Sequence, residues 1–217
     1  MADDPLPLST HDRITYIPEY YGKSETPGGK LIYPPTVPTY ALAPLTRRER
    51  QAAQRDTLAE CGAEVSTTEW RTMTRRGIEA VRPDAERAES IALVDALDAL
   101  DDELQTTVGS NGQEESLERK VRREALNQQY EVLQNGLSRE YPPLARLFAV
   151  AQRRVDTLFR MFAARSLRGW TNVPATFERI DGRVPDAALD CLPGLDVDAI
   201  GIRAAGLARL TEAEAKN

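Results

Sequence analysis

The chain of 217 residues has one histidine, two cysteines and two tryptophans, and aromatic residues make up only 6% of it. The shortage of histidine excludes most. His11 is the sole imidazole and lies in a proline-rich N-terminal stretch, so a Ser-His-Asp or Cys-His arrangement has no base at hand. Cys61 and Cys191 belong to no Cys-x-x-Cys or Cys/His array, which leaves no ligand set for zinc or an iron–sulfur cluster. Both read as free, half-buried thiols in a reducing compartment, with a disulfide between them as the alternative. No window approaches the ~20 apolar residues of a membrane span. Met1-Ala2-Asp3-Asp4 also lacks the basic patch and apolar stretch of a secretory leader, so the expectation is a cytosolic protein.

Phosphate-cradling and metalloprotease motifs are missing as well: there is no GxxxxGK[ST], no GxGxxG opening a helix, and no HExxH. Acidic pairs such as Asp101-Asp102 are plentiful, but on an amphipathic helix they make a solvated face. The expectation is a non-enzymatic protein with no cofactor and no metal. A net charge of −6 and a pI near 5.1 argue against a general binder of nucleic acid or anionic membrane.

What is present divides sharply near residue 45. Eight of the fourteen prolines and five of the seven tyrosines (Tyr16, Tyr20, Tyr21, Tyr33, Tyr40) precede it. Proline fixes φ and removes an amide donor, so residues 1–45 are expected as an extended arm. A hairpin is open within it, with strand or polyproline-like structure over Leu31 to Leu42. Two readings stand: the arm folds back on its own domain, or it orders on a partner through tyrosines such as Tyr20 and Tyr21.

From Thr46 the chain reads as helix. Thr46-Arg47-Arg48-Glu49 has the form of a capping box, and Gly62 supplies a C-terminal cap. Ser66-Thr67-Thr68-Glu69 repeats the start signal, and Pro83 ends that helix. Residues 84 to 106 form an acidic helix, followed by a loop at Gly109-Ser110-Asn111-Gly112. A fourth helix spans about 114 to 137, ended by Gly136 and Pro142-Pro143. In the fifth, 144 to 168, Leu144, Phe148, Ala151, Val155, Leu158 and Phe162 recur at spacings of four and three and make one apolar stripe.

On the same helix Arg146, Arg153 and Arg160 sit seven apart, which sets them nearly on one line. Arg154 adjoins that line, and Arg139 precedes it in phase. Either the line pairs internally with the acidic helix 84–106, or it receives an acidic partner helix, or it binds nucleic acid weakly. The cluster Arg47, Arg48, Arg50 and Arg55 is open to the same three readings. After Leu167-Arg168-Gly169-Trp170 come turns and short helices, closing at Glu214-Ala215-Lys216-Asn217. The fold class expected is mainly α, a helical bundle-like domain over 46–168 with an extended Pro/Tyr-rich arm. A short-helix module over 169–217 completes it, with small β elements near Leu31–Leu42 and Thr176–Arg179.

Pro38-Thr39-Tyr40-Ala41-Leu42 followed by Thr46-Arg47-Arg48-Glu49-Arg50, the helical middle, and the run from Leu167 to Asn217 together resemble the bacteriophage tail assembly chaperones. Those small proteins are made beside the tape-measure protein of long-tailed phages. The resemblance covers most of residues 36–217 and rests on a succession of patterns. It implies binding to the tape-measure protein during assembly, contact with tail-tube subunits, residence in the bacterial host cytoplasm, and absence from the finished particle. Self-association is open. An apolar groove lined by spare positions of the 114–137 and 144–168 helices, with Arg146, Arg153 and Arg160 at its rim, is the expected seat of a partner helix. Ala215-Lys216-Asn217 is also encodable as GCA-AAA-AAC, a sequence on which ribosomes slip back one base, so a longer product is one expectation and an ordinary polar terminus the other. The rival readings are a structural subunit of the particle, found in the virion, and a helical adaptor unrelated to phages.

Overall fold

The computed structural model describes residues 12–26, 29, 31–111 and 117–214, the side chains of 31, 104–111 and 208–214 excepted. His11, Pro27, Gly28, Gly112 and Ala215-Lys216-Asn217 lie outside the described residues. The protein is mainly helical with one small antiparallel three-stranded sheet. It falls into two compact units. One combines the described residues up to Ala63 with those from Arg153 onward, and the other spans Glu64–Gln152.

In the first unit, β1 (Ile14–Tyr16) pairs with β4 (Thr39–Leu42), which pairs in turn with β5 (Leu167–Thr171). Register sets Tyr16 opposite Tyr40, and Tyr40 opposite Trp170. Along β4 the side chains alternate, Tyr40 and Leu42 buried and Thr39 and Ala41 half-buried, as a strand covered on one face requires. Between β1 and β4 lie a single 3-10 turn at Glu19–Tyr21 and a short hairpin of β2 (Ser24–Glu25) and β3 (Leu31–Ile32). The N-terminal segment thus carries the hairpin left open by the sequence.

The first helix, α1 (Arg47–Cys61), begins as its sequence requires. Thr46 Oγ1 accepts from the Glu49 amide at 3.2 Å while the Thr46 amide donates to Glu49 Oε2 at 2.9 Å. Gly62 ends it at φ 78°, where its amide donates to the Leu58 carbonyl. Leu45, Ala53, Met161, Phe162 and Ala204 form one core cluster of this unit, and Tyr40, Leu42, Leu167, Leu189 and Ile200 belong to a second. Strand pairing between Tyr40 and Trp170 and these shared clusters explain why the units divide at 63 and 152, whereas the composition change lies at 45 and the fifth helix ends at Ser166.

The second unit holds α2 (Thr67–Val81), α3 (Asp84–Asn111), α4 (Leu117–Glu140) and the first part of α5 (Pro142–Ser166). Ile78, Val94, Leu137, Leu144 and Leu147 make its core, with Trp70 and Phe148 rings 4.8 Å apart beside it. α3 continues through Gly109, Ser110 and Asn111, where a loop was expected, and α4 passes through Gly136 to Glu140. One glycine costs a helix only about 1 kcal/mol relative to alanine, so it does not stop a helix by itself.

Two further expectations are corrected. The second β element is Leu167–Thr171, while Thr176–Arg179 forms no strand, because β4 offers its free edge to residues leaving α5 directly. The C-terminal segment includes one four-residue helix, α6 (Asp186–Leu189), and then a helix of 21 residues, α7 (Gly194–Glu214), rather than short helices alone. Gly201 fits inside α7 because a Cβ there would stand 2.7 Å from the carbonyl carbon of Phe159. Among the described residues no helix is long and apolar enough to cross a membrane.

Candidate functional site

An open cleft of about 800 Å3 lies in the first unit between the second half of α5 and the segment carrying α6 and the start of α7. Leu189, Leu192 and Val197 border it from beneath, all buried and so offering little surface of their own. Leu195 stands at its margin, 69% exposed. Arg153, Asp156, Thr157 and Arg160 come from α5, one helical turn apart on one face, and Asp190 and Asp198 are acidic members from the other side. An apolar floor with charges of both signs suits an amphipathic helix better than a compact polar metabolite.

The structure divides the arginine line. Arg153 and Arg160 both line this cleft, whereas Arg146 belongs to the second unit and does not. Arg153 is exposed. Arg160 is half-buried and donates to Asp190 Oδ1 at 2.6 Å and to the Asp186 carbonyl at 3.3 Å. Burial pulls its pKa down, but Asp190 and Asp186 outweigh that and hold the guanidinium above its ordinary value. Arg154, next in line, donates to the Gly62 carbonyl.

Three acids of the acidic helix find their cations away from that line. Asp95, Asp98 and Asp101 of α3 instead pair with Arg71 and Arg75 of α2, Arg75 bridging Asp95 at 2.6 Å and Asp98 at 2.5 Å. Arg75 and Arg71 supply the cations because α2 and α3 are neighbours packed side by side and place them opposite the acidic stripe. The cleft's far wall is residues 189–198, not the fourth helix named in the expected groove. Spare apolar positions do exist on α4, where Leu117, Val121 and Val132 are exposed on one face.

Arg47 and Arg48 are exposed at the start of α1 and line no part of the cleft. Tyr20 and Tyr21 take part in a different constellation. Asp196, fully buried in the first turn of α7, accepts from the hydroxyls of Tyr20, Tyr21 and Tyr40, with Tyr21 at 3.0 and 2.8 Å to its two oxygens. Tyr16 donates to the Ala199 carbonyl at 3.4 Å. A buried carboxylate is costly unless hydrogen-bonded, and here three phenols meet one carboxylate. Burial first, then the bond to Asp196 and its charge, raise the three phenols, Tyr21 to about 12 and Tyr20 and Tyr40 further. Tyr20 and Tyr21 therefore tie the described segment around Glu19–Tyr21 to α7 of the same unit.

Compared with protein-family models, curated proteins and solved structures, the chain matches none.

Sequence reasoning missed Asp196 and the 189–198 wall of the cleft. The signal that was there is Pro193-Gly194-Leu195-Asp196, a helix start with an acid in its first turn, followed by apolar residues at helical spacing. Cys61 is half-buried as expected, but Cys191 is exposed; both are free, and Cys191 Sγ lies 3.4 Å from the Ala187 carbonyl.

Proposed function

We propose that the protein is a binding protein that holds a helical segment of a partner in the cleft between α5 and residues 189–198. The phage tail assembly chaperones, which its sequence resembles, make that partner the tape-measure protein, with tail-tube subunits recruited during tail morphogenesis in the host cytoplasm. The observation that carries the reading is the cleft itself, with Leu195 and Arg153 exposed at its edge over a buried apolar floor. A partner helix with apolar residues on one face and an acid beside Arg153 fits that cleft. The rival, a structural subunit whose tyrosine arm embraces a neighbour, is less favoured because Tyr20, Tyr21 and Tyr40 are already bound to Asp196.

Co-expression with a tape-measure protein followed by affinity capture at low and high salt tests the proposal. A soluble complex that weakens with Arg153→Glu is expected. Absence of any complex, with the chain instead retained in purified particles, would favour the structural-subunit reading.

A further inference from the structure

Part of the α7 surface stands exposed among the described residues, although Tyr16 donates to the Ala199 carbonyl of the same helix. Leu195 and Ile202, one heptad apart, are 69% and 57% exposed. Ala199 sits half-buried between them and Gly206 follows one turn later. These four residues recur at spacings of four, three and four, the rhythm of a two-stranded coil with Leu195 and Ile202 at the d positions and Ala199 and Gly206 at the a positions. Among the described residues, the helix's own backbone and the adjoining residues apart, nothing lies within 4 Å of where a Cβ on Gly206 would stand, so no described contact calls for a glycine there. Gly201 differs, since Phe159 occupies its Cβ position. A helix-weakening residue in open space fits a surface that another backbone approaches closely.

The charges beside the stripe identify the occupant. Asp198 takes the g position and Arg203 the e position, both exposed and neither with an ion-pair partner among the described residues. They are five residues apart, the separation at which g of one helix meets the following e of a parallel partner. An antiparallel pair would instead set Asp198 beside Asp198 and Arg203 beside Arg203. The face is therefore complementary to itself in one orientation only, as an isologous interface requires.

We infer that two copies of this chain associate through α7, parallel and in register. Leu195, Ala199, Ile202 and Gly206 form its layers, and Asp198–Arg203 pairs close both flanks. A seam of four layers makes a weak, reversible dimer whose population rises with concentration. The inference does not depend on what the cleft binds. Because Leu195 and Asp198 also line the cleft, the readout is self-association of the purified chain and not partner capture.

Sedimentation of the full chain across a concentration series gives the test. Wild type shows a monomer–dimer equilibrium. Asp198→Arg and Arg203→Asp each place like charges on both flanks and weaken it by about tenfold, from the modest worth of exposed ion pairs. The double variant D198R/R203D restores the opposite-sign pairs with their places exchanged and recovers wild-type association. Circular dichroism of each variant confirms that helix content is unchanged, as expected for exposed side chains. A wild type that stays monomeric at every concentration overturns the inference. So do single variants that associate as strongly as wild type, or a double variant as weak as the singles.

Discussion

Asp196 is the carboxylate on which the N-terminal segment hangs. Replacing it with alanine leaves the buried Tyr40 hydroxyl without its acceptor and should cost about 3 kcal/mol in denaturant unfolding, the upper end for a hydrogen bond to a charged group. The same residues set the alkaline limit. Tyr21 is held near 12 in the folded protein against an ordinary value of 10.0, so its neutral form is favoured by folding. That contribution is complete below pH 10 and is lost as pH rises through 12. The unfolding midpoint should fall across this window, and Tyr21→Phe should flatten the fall; an unchanged slope in the variant would remove Tyr21 as its source. Gly201 makes a steric prediction. An alanine there must displace the Phe159 backbone and should destabilise by about 2 kcal/mol, whereas the same change at Gly206 meets no such obstacle among the described residues.

At the level of helices and strands, local signals were readable and distant ones were not. Thr46 with Glu49, Ser66 with Glu69 and Gly62 mark helix ends within a few residues of themselves, and the structure uses all of them. Thr46→Ala should cost about 1 kcal/mol, measurable as a lowered thermal midpoint. β5 was hidden because Leu167-Arg168-Gly169-Trp170 looks locally like a fraying helix end, and its strand character comes from pairing with Thr39–Leu42 far away in sequence. The cleft was hidden for the same reason: the spacing of Arg153 and Arg160 was visible, but the residues facing them were not. The partners of the acidic helix illustrate the limit from the other side, since the stripe on α3 was plain while the choice of Arg71 and Arg75 depended on α2 packing beside it. Burial would raise Asp98, but hydrogen bonds from Arg75 and Arg71 outweigh it and hold the carboxyl below its ordinary 3.8. Its contribution is present above pH 3.8 and is lost as pH falls through the depressed folded value. Arg75→Gln should therefore shift acid unfolding, followed by helix circular dichroism, to higher pH.

Across the whole chain, charge is unequally shared. The segment Glu64–Gln152 contains 17 acidic and 11 basic residues and so carries the entire net charge of −6, while the remainder is balanced at 17 of each. A strongly acidic segment favours solubility and repels anionic polymers. The balanced unit is the one that holds the cleft, where attraction to a partner is not opposed by a large like-signed field. This division argues for placing partner binding on the α5, α6 and α7 surface rather than on the exposed apolar face of α4. The most direct measurement is hydrogen exchange of the chain with and without a bound tape-measure segment. The account predicts added protection over residues 153–160 and 189–198; protection confined to 64–152, with the cleft residues unchanged, would contradict it.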